Sequence, residues 1–374
     1  MPSHANYRLS NSRPSRRGRK FFGLLALLVL GIVGCVLWQN FCATPSKPIT
    51  KATPSVAITN QPGKTQPVIT RPPDLVPATN TVSVSASGFP RPTRDVFEAQ
   101  VALARRGISS GSLDGVIGSQ TRAALLAFHR MAGFPESVEL TAEMRARLSL
   151  ESPPLKTYTI TSNDLARLQP LSKTWLGKSQ QTALDYETIL EFVAEKGHAS
   201  PNLIRRFNPA LDWANVLAGT AVQIPDVEYP PPKAKAAFVV ISLGEKKLEA
   251  FDAQTNLLAH FPCSIAARVE KRPAGELHVS AVAPNPDYTF NPEVFPESPE
   301  AQQLKTKLVL PPGPNNPVGT AWISLDKPGY GMHGTPSPEQ VGRTESHGCF
   351  RLANWNAEYL IKLVWIGMPV YVEP

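Results

Sequence analysis

Residues 346–354 read SHGCFRLAN, so Cys349 follows Ser346, His347 and Gly348 and precedes Arg351, while His333 lies a short way upstream in GYGMHGT. A thiol with a pKa of about 8.5 is only a few per cent ionised at neutral pH, and the thiolate is the nucleophile. A neighbouring imidazole raises that fraction, and cysteine beside histidine is what nucleophilic acyl transfer needs. Gly348 removes bulk at the point of attack, and the amides around Gly348 and Cys349 are placed to stabilise an oxyanion. The alternative chemistry is zinc, with His333, His347, Cys349 and Cys263 as four ligands. No C-x-x-C or H-x-x-x-H spacing accompanies them, and Arg351 would bring positive charge to the metal. The reading is therefore a nucleophile without metal or cofactor. His129, His198, His260 and His278 read as surface or hydrogen-bonded core residues, and Cys263 as a small buried hydrophobe.

Charge and hydropathy say where such a cysteine works. The chain has 374 residues and a formal net charge of +8, but residues 1–20 hold six Lys and Arg and no acid. Residues 43–90 add a net +3, leaving −1 for the rest, so the folded part has no electrostatic footprint for nucleic acid. The basic tail, 1–20, runs into an uncharged apolar stretch, Phe21 to Trp38, close to the length of a membrane-spanning helix. Positive charge on its N-terminal side keeps the tail cytoplasmic and sends everything beyond residue 42 outside. A cleaved signal peptide, or lipidation at Cys35 within Ile32-Val33-Gly34-Cys35, are the alternatives for 21–42, and all three export the chain. Outside the cytosol, Cys263 and Cys349 would by default pair. The polar company of Cys349 argues instead for a free thiol.

Several elements must position that thiol. Residues 43–92 form a proline-rich spacer, with nine prolines up to residue 90. From 93 to 150 three short helices are expected. The first carries Val96, Gln100 and Leu103 and stops at Gly107; the second, after an Asp114-Gly115 turn, carries Ala124, Leu125 and Phe128; the third is capped by Thr141. The order Gln100, Leu103, Gly107, Leu113-Asp114-Gly115, Gly118, Thr121, Ala124 and Phe128 resembles the peptidoglycan-binding domain of wall enzymes, with Phe128-His129 where Phe-Gln is usual. Residues 155–226 read as a strand, an Asp- or Asn-capped helix, an amphipathic helix, a helix ended by Asn208-Pro209, and a strand stopped by Pro225. That order resembles a small LysM-like α/β glycan-binding module. Pro230, Pro231 and Pro232 mark a stiff linker.

From 236 to 374 the chain is mainly β, with one late helix expected over Ala357 to Val364. The fold class is thus multidomain α+β. His333-Gly334-Thr335, then a loop containing Gly342, then Ser346-His347-Gly348-Cys349-Phe350-Arg351-Leu352 and Asn354, is very similar to the L,D-transpeptidase (YkuD-type) catalytic domain. Residues 311–335, PPGPNNPVGTAWISLDKPGYGMHGT, match the approach to its first histidine, whereas KRPAG at 271–275 has Arg272 where the family often has Thr. The resemblance implies that Cys349 attacks a peptidoglycan tetrapeptide stem, releases terminal D-Ala, and passes the acyl group to a second stem as a 3→3 cross-link. It implies that His333 is the base, held by a carbonyl near Gly334, that His347 orients thiol or substrate, and that Arg351 fixes a carboxylate or the loop. Gly334, Ser346, Gly348 and Asn354 are the supporting positions. Water as acceptor would make an L,D-carboxypeptidase, and a protein lysine would make a protein–wall linkage. An inert wall-binding scaffold is the reading from another class. The expected partners are peptidoglycan and, through the N-terminal segment, the inner membrane, with the bulk of the chain in the periplasm or extracytoplasmic space.

Overall fold

The computed structural model describes residues 88–295, 298–344, 346 and 348–374. The basic tail, the apolar segment 21–42, nearly all of the spacer, and His347 lie outside the described residues. No helix among the described residues is long and apolar enough to cross a membrane.

The first expected module forms as three helices: α1 (Val96–Ala104), α2 (Ser119–Ala132) and α3 (Ala142–Arg147). Asp95 caps α1, and Thr141 caps α3 by accepting from the Met144 amide at 3.2 Å, which satisfies donors that a helix start leaves open. The Gln100, Asp-Gly and Thr positions prove to be one bracket. Gln100 Nε2 donates to Asp114 Oδ1 at 3.0 Å and to Thr121 Oγ1 at 3.1 Å, while its Oε1 accepts from the Gly115 amide at 2.9 Å.

Between 155 and 226 run β1 (Leu155–Thr159), α4 (Ser162–Ala166), α5 (Trp175–Ser179), α6 (Ile189–Lys196), α7 (Pro201–Phe207) and β2 (Ala221–Pro225), with β1 and β2 paired antiparallel. The cap of α4 is Thr161 rather than the expected Asp or Asn: Asp164 sits three residues on and bonds back to the Thr161 amide at 2.8 Å, closing a capping box. Asn208 ends α7 as read, because its side chain bridges the Ile204 carbonyl to both the amide and the carbonyl of Gln223 in β2. α5 was not foreseen.

The two modules also do not keep separate cores. Phe97, Leu103, Leu113 and Phe128 from the first pack in one cluster with Ile189, Phe192, Val193 and Ile204 from the second. Each is too small to bury enough apolar surface alone, and merging the faces removes more of it from water.

The remaining elements are β3 (Phe238–Ser242), β4 (Lys247–Phe251), β5 (Leu257–Pro262), β6 (Gly275–Pro284), β7 (Tyr288–Phe290), α8 (Pro299–Gln303), β8 (Leu308–Leu310), β9 (Ala321–Leu325), β10 (Gly331–His333), β11 (Phe350–Arg351), α9 (Asn354–Leu363) and β12 (Pro369–Glu373). Eight strands make one sheet in the order β11-β10-β9-β6-β12-β3-β4-β5, and β7 and β8 pair only with each other. The late helix exists, starting at Asn354 rather than Ala357, and the short α8 joins it. Cys263 lies one residue beyond β5 and is fully buried.

The modules pack onto the sheet. Ser109 N donates to the His260 carbonyl at 2.8 Å and His260 N to the Gly107 carbonyl at 3.1 Å, which extends the β5 edge. Arg130 of α2 pairs with Glu249, which also holds His260 Nδ1 at 2.8 Å in a buried network. The proline linker is not a free spacer, since Tyr359 Oη donates to the Pro230 carbonyl at 2.8 Å and Tyr229 Oη to Asn356 Oδ1 at 2.5 Å.

Candidate active site

The site lies at the β10–β11 edge of the sheet. These strands are parallel, with Met332 opposite Phe350 and His333 opposite Arg351. Successive residues of a strand point to opposite faces. Met332 and Phe350 therefore turn into the core, where both are fully buried. His333, Arg351 and, one residue before β11, Cys349 share the other face. Strand spacings put the Cα atoms of Cys349 and His333 about 8 Å apart, within reach of a thiol and an imidazole.

The Cys349 loop is sewn to the segment after β5. Ser264 N donates to the Arg351 carbonyl at 2.9 Å, Arg351 N to the Ser264 carbonyl at 3.0 Å, and Ser346 N to the Ile265 carbonyl at 2.8 Å. Ser346 Oγ closes the loop by donating to the Cys349 carbonyl at 2.5 Å and accepting from the Gly348 amide at 3.3 Å. Cys349 Sγ faces the Gly329 carbonyl at 3.4 Å. Both Cys349 and Cys263 are free thiols. Burial pushes Cys263 far up from the ordinary thiol range, consistent with an inert core residue.

His333 is held on two sides. Its Nδ1 lies 2.6 Å from the Gly334 carbonyl, which can only accept, so Nδ1 carries the proton and Nε2 is left as the basic atom. Trp322 of β9 stacks on the ring at 5.4 Å. Burial lowers the imidazole to about 4, with Gly334 pulling it back up and Arg351 adding to the fall. Burial also raises the Cys349 thiol to about 11, opposed by the Gly331 amide and the Arg351 charge. Both shifts favour the uncharged forms of the thiol and the imidazole.

Asn354 supports the His333 loop from beneath and is itself fully buried. Its Oδ1 accepts from the Thr335 amide at 3.0 Å and the Thr320 amide at 3.3 Å, and its Nδ2 donates to the Pro314 carbonyl at 3.1 Å and to Glu195 Oε1 at 2.9 Å. A Cβ at Gly334 or Gly319 would overlap Asn354 Oδ1, so both glycines permit this close approach.

The structure thus brings together Cys349, His333, Arg351, Ser346, Gly348, Gly334 and Asn354. Sequence reasoning missed Trp322, Tyr288, whose phenol lies within electrostatic reach of Cys349, and Glu195. Trp322 could have been found from the alternation of AWISL; the other two come from distant segments and left no local signal.

Residues 236–372 match the family described as the YkuD "L,D-transpeptidase catalytic domain", and residues 93–148 match the one described as a "putative peptidoglycan binding domain". Among curated relatives, "Putative L,D-transpeptidase YkuD" of Bacillus licheniformis is 25% identical over 185 residues, covering 50% of this chain and 93% of that protein. "Probable L,D-transpeptidase YbiS" of Escherichia coli is 26% identical over 192 residues, covering 48% of this chain and 58% of that protein. The crystal structure of L,D-transpeptidase 3 from Mycobacterium tuberculosis aligns at 18% identity over 43% of this chain and 77% of that one, with a TM-score of 0.30 that carries no weight here. The two family matches thus cover residues 236–372 and, ahead of them, residues 93–148.

Proposed function

We propose that this protein is a membrane-tethered L,D-transpeptidase that forms 3→3 cross-links through a thioester on Cys349. The observation that carries this reading is that the β10–β11 register puts His333 opposite Arg351, on the strand face that Cys349 shares, with the imidazole proton fixed on Nδ1 by Gly334. In the first step the Cys349 Sγ–H proton passes to His333 Nε2 as sulfur bonds to the carbonyl of the L-centred third residue of a donor stem. A concerted transfer suits a pair shifted toward its uncharged forms. Amides around Gly348 and Cys349 stabilise the oxyanion, and its collapse breaks the C–N bond to the terminal D-Ala, whose amine leaves with the proton from His333. In the second step His333 Nε2 takes a proton from the amine of a second stem, nitrogen bonds to the thioester carbon, and sulfur leaves to regain its proton. Arg351 keeps the Cys349 loop on Ser264 and adds positive charge beside the sulfur. His347 is assigned to orienting thiol or substrate.

The 93–150 domain would hold peptidoglycan, and the 155–226 module, whose paired β1 and β2 enclose helices, would bind glycan as LysM-like modules do. Export through residues 21–42 would put all of this in the periplasm or extracytoplasmic space. The test is to incubate the chain with disaccharide-tetrapeptide and read products by mass spectrometry. Cross-linked dimer with free D-Ala is expected. Tripeptide without dimer would select the carboxypeptidase, and neither product would refute the reading.

A further inference from the structure

His333 ends β10 and Cys349 stands just before β11, so one loop joins the base to the nucleophile. What holds that loop bears on where the thiol stands. Within it, a 3-10 turn at Pro338–Gln340 is closed by the Arg343 and Thr344 amides, which donate to the Gln340 carbonyl at 3.0 and 2.9 Å. The turn is tied to other segments at adjacent residues. Ser264 Oγ accepts from the Gly342 amide at 2.8 Å. From the other side, Gln120 Nε2 donates to the Val341 carbonyl at 2.6 Å. Gln120 is the second residue of α2, so this bond comes from the 93–150 domain, 221 positions away in the chain.

The carboxamide of Gln120 sits in a slot made for it. A Cβ at Gly111 would overlap its Oε1, and one at Gly342 would stand 2.8 Å from its Nε2, so two glycines leave the room it fills. Val341 and Ser264 on the receiving side are buried, and α2 is fixed farther along by the Arg130–Glu249 pair. From the turn a continuous run of hydrogen bonds leads to the thiol. Ser264 exchanges backbone bonds with Arg351, two residues beyond Cys349, at 2.9 and 3.0 Å. The next residue, Ile265, accepts from the Ser346 amide at 2.8 Å, and Ser346 Oγ donates to the Cys349 carbonyl at 2.5 Å. We propose that Gln120 is a positioning residue for acyl transfer, acting through the Val341–Gly342 turn and Ser264 on the Cys349 loop, so that the 93–150 domain braces the nucleophile. This rests on the proposed acyl-transfer function, and it gives that domain a task beyond holding the wall.

The test uses the full chain purified in detergent, comparing wild type with Gln120→Ala, Gln120→Glu, Ser264→Ala and the Gln120→Ala/Ser264→Ala double variant. With disaccharide-tetrapeptide, kcat for Gln120→Ala should fall about three- to tenfold, the scale of one lost hydrogen bond, with KM within about twofold. Gln120→Glu keeps the shape but has no donor for the Val341 carbonyl, so it should fall at least as far. The double variant should lose less than the product of the two single effects, because residues 341 and 342 hold one turn. An unchanged kcat in Gln120→Ala, a change confined to KM as loss of substrate capture would give, or single effects that simply multiply would overturn the proposal. Iodoacetamide alkylation, read by mass spectrometry on the peptide containing Cys349, needs no turnover, and its rate should rise several-fold in Gln120→Ala and Gln120→Glu as the loop loosens. If wild type shows no turnover, the acyl-transfer function fails, while unchanged alkylation in both variants would overturn the brace on its own.

Discussion

Replacing Asn354 with alanine should damage both stability and turnover without removing any group that touches substrate. Asn354 is fully buried and satisfies the Thr335 and Thr320 amides, the Pro314 carbonyl and Glu195 at 2.9 to 3.3 Å. Truncation leaves at least the Thr335 amide and the Pro314 carbonyl buried without this partner, and each such group costs about 1–3 kcal/mol, so a loss of about 2–6 kcal/mol follows. Thr335 directly follows Gly334, whose carbonyl fixes His333 Nδ1 at 2.6 Å. A shift of about 1 Å in that loop can cost about 100-fold, so kcat/KM should fall between about tenfold and 100-fold. Asn354→Asp keeps the acceptor for Thr335 but loses the donor and sets a carboxyl against Glu195, so it should lose stability yet retain more activity than Asn354→Ala. Urea unfolding followed by tryptophan fluorescence gives the first quantity, and initial rates with tetrapeptide donor give the second. A loss below about 1 kcal/mol with kcat/KM within about twofold would refute the supporting role.

The pH profile is set by the two buried partners. His333 acts as base only when neutral, so log kcat/KM should fall as pH drops through about 4 and stay level from there to well above neutrality; an acid limb near the ordinary histidine value would contradict the burial of the ring. Because the folded-state value of His333 is depressed, its contribution to stability is present above pH 6.5 and lost as pH falls toward about 4, which acid titration of the unfolding midpoint will show. Glu195 has the opposite sign: burial raises it to about 8, so its contribution is present below pH 4.5 and lost as pH rises through about 8. Glu195→Gln keeps an acceptor for Asn354 and should stabilise the protein at about pH 9 but not at about pH 5; equal midpoints at the higher pH would refute this. Cys349→Ala should abolish D-Ala release, whereas Cys263→Ala should cost stability through a small cavity, about 1 kcal/mol, and leave turnover in place.

What the sequence revealed follows the range of the interactions involved. The candidate thiol and base were legible because His333 ends β10, Arg351 lies opposite it in β11, and Cys349 stands two residues before Arg351, so that their spacing records the shared face. Caps such as Thr141 and the Asn208 stop were legible because the hydrogen bonds that make them span only a few residues. At α4 the same local rule misled, since both Thr161 and Asp164 are good caps and the reciprocal box decides in favour of Thr161. The shared core of the two small modules, the Trp175 stack on Phe290 and the Glu195–Asn354 bond join segments more than a hundred residues apart or different modules, and no periodicity marks them. The shifts of Cys349 and His333 toward their uncharged forms were likewise hidden, because they arise mainly from burial in the folded chain.

The central claim is that Cys349 carries the acyl group. Rapid acid quench of the protein with tetrapeptide donor, followed by proteolysis and mass spectrometry, should find the peptide containing Cys349 heavier by one donor stem less D-Ala, and Cys263 unmodified. Turnover with no adduct on Cys349, or active protein in which Cys349 is joined to Cys263 by a disulfide, would contradict it.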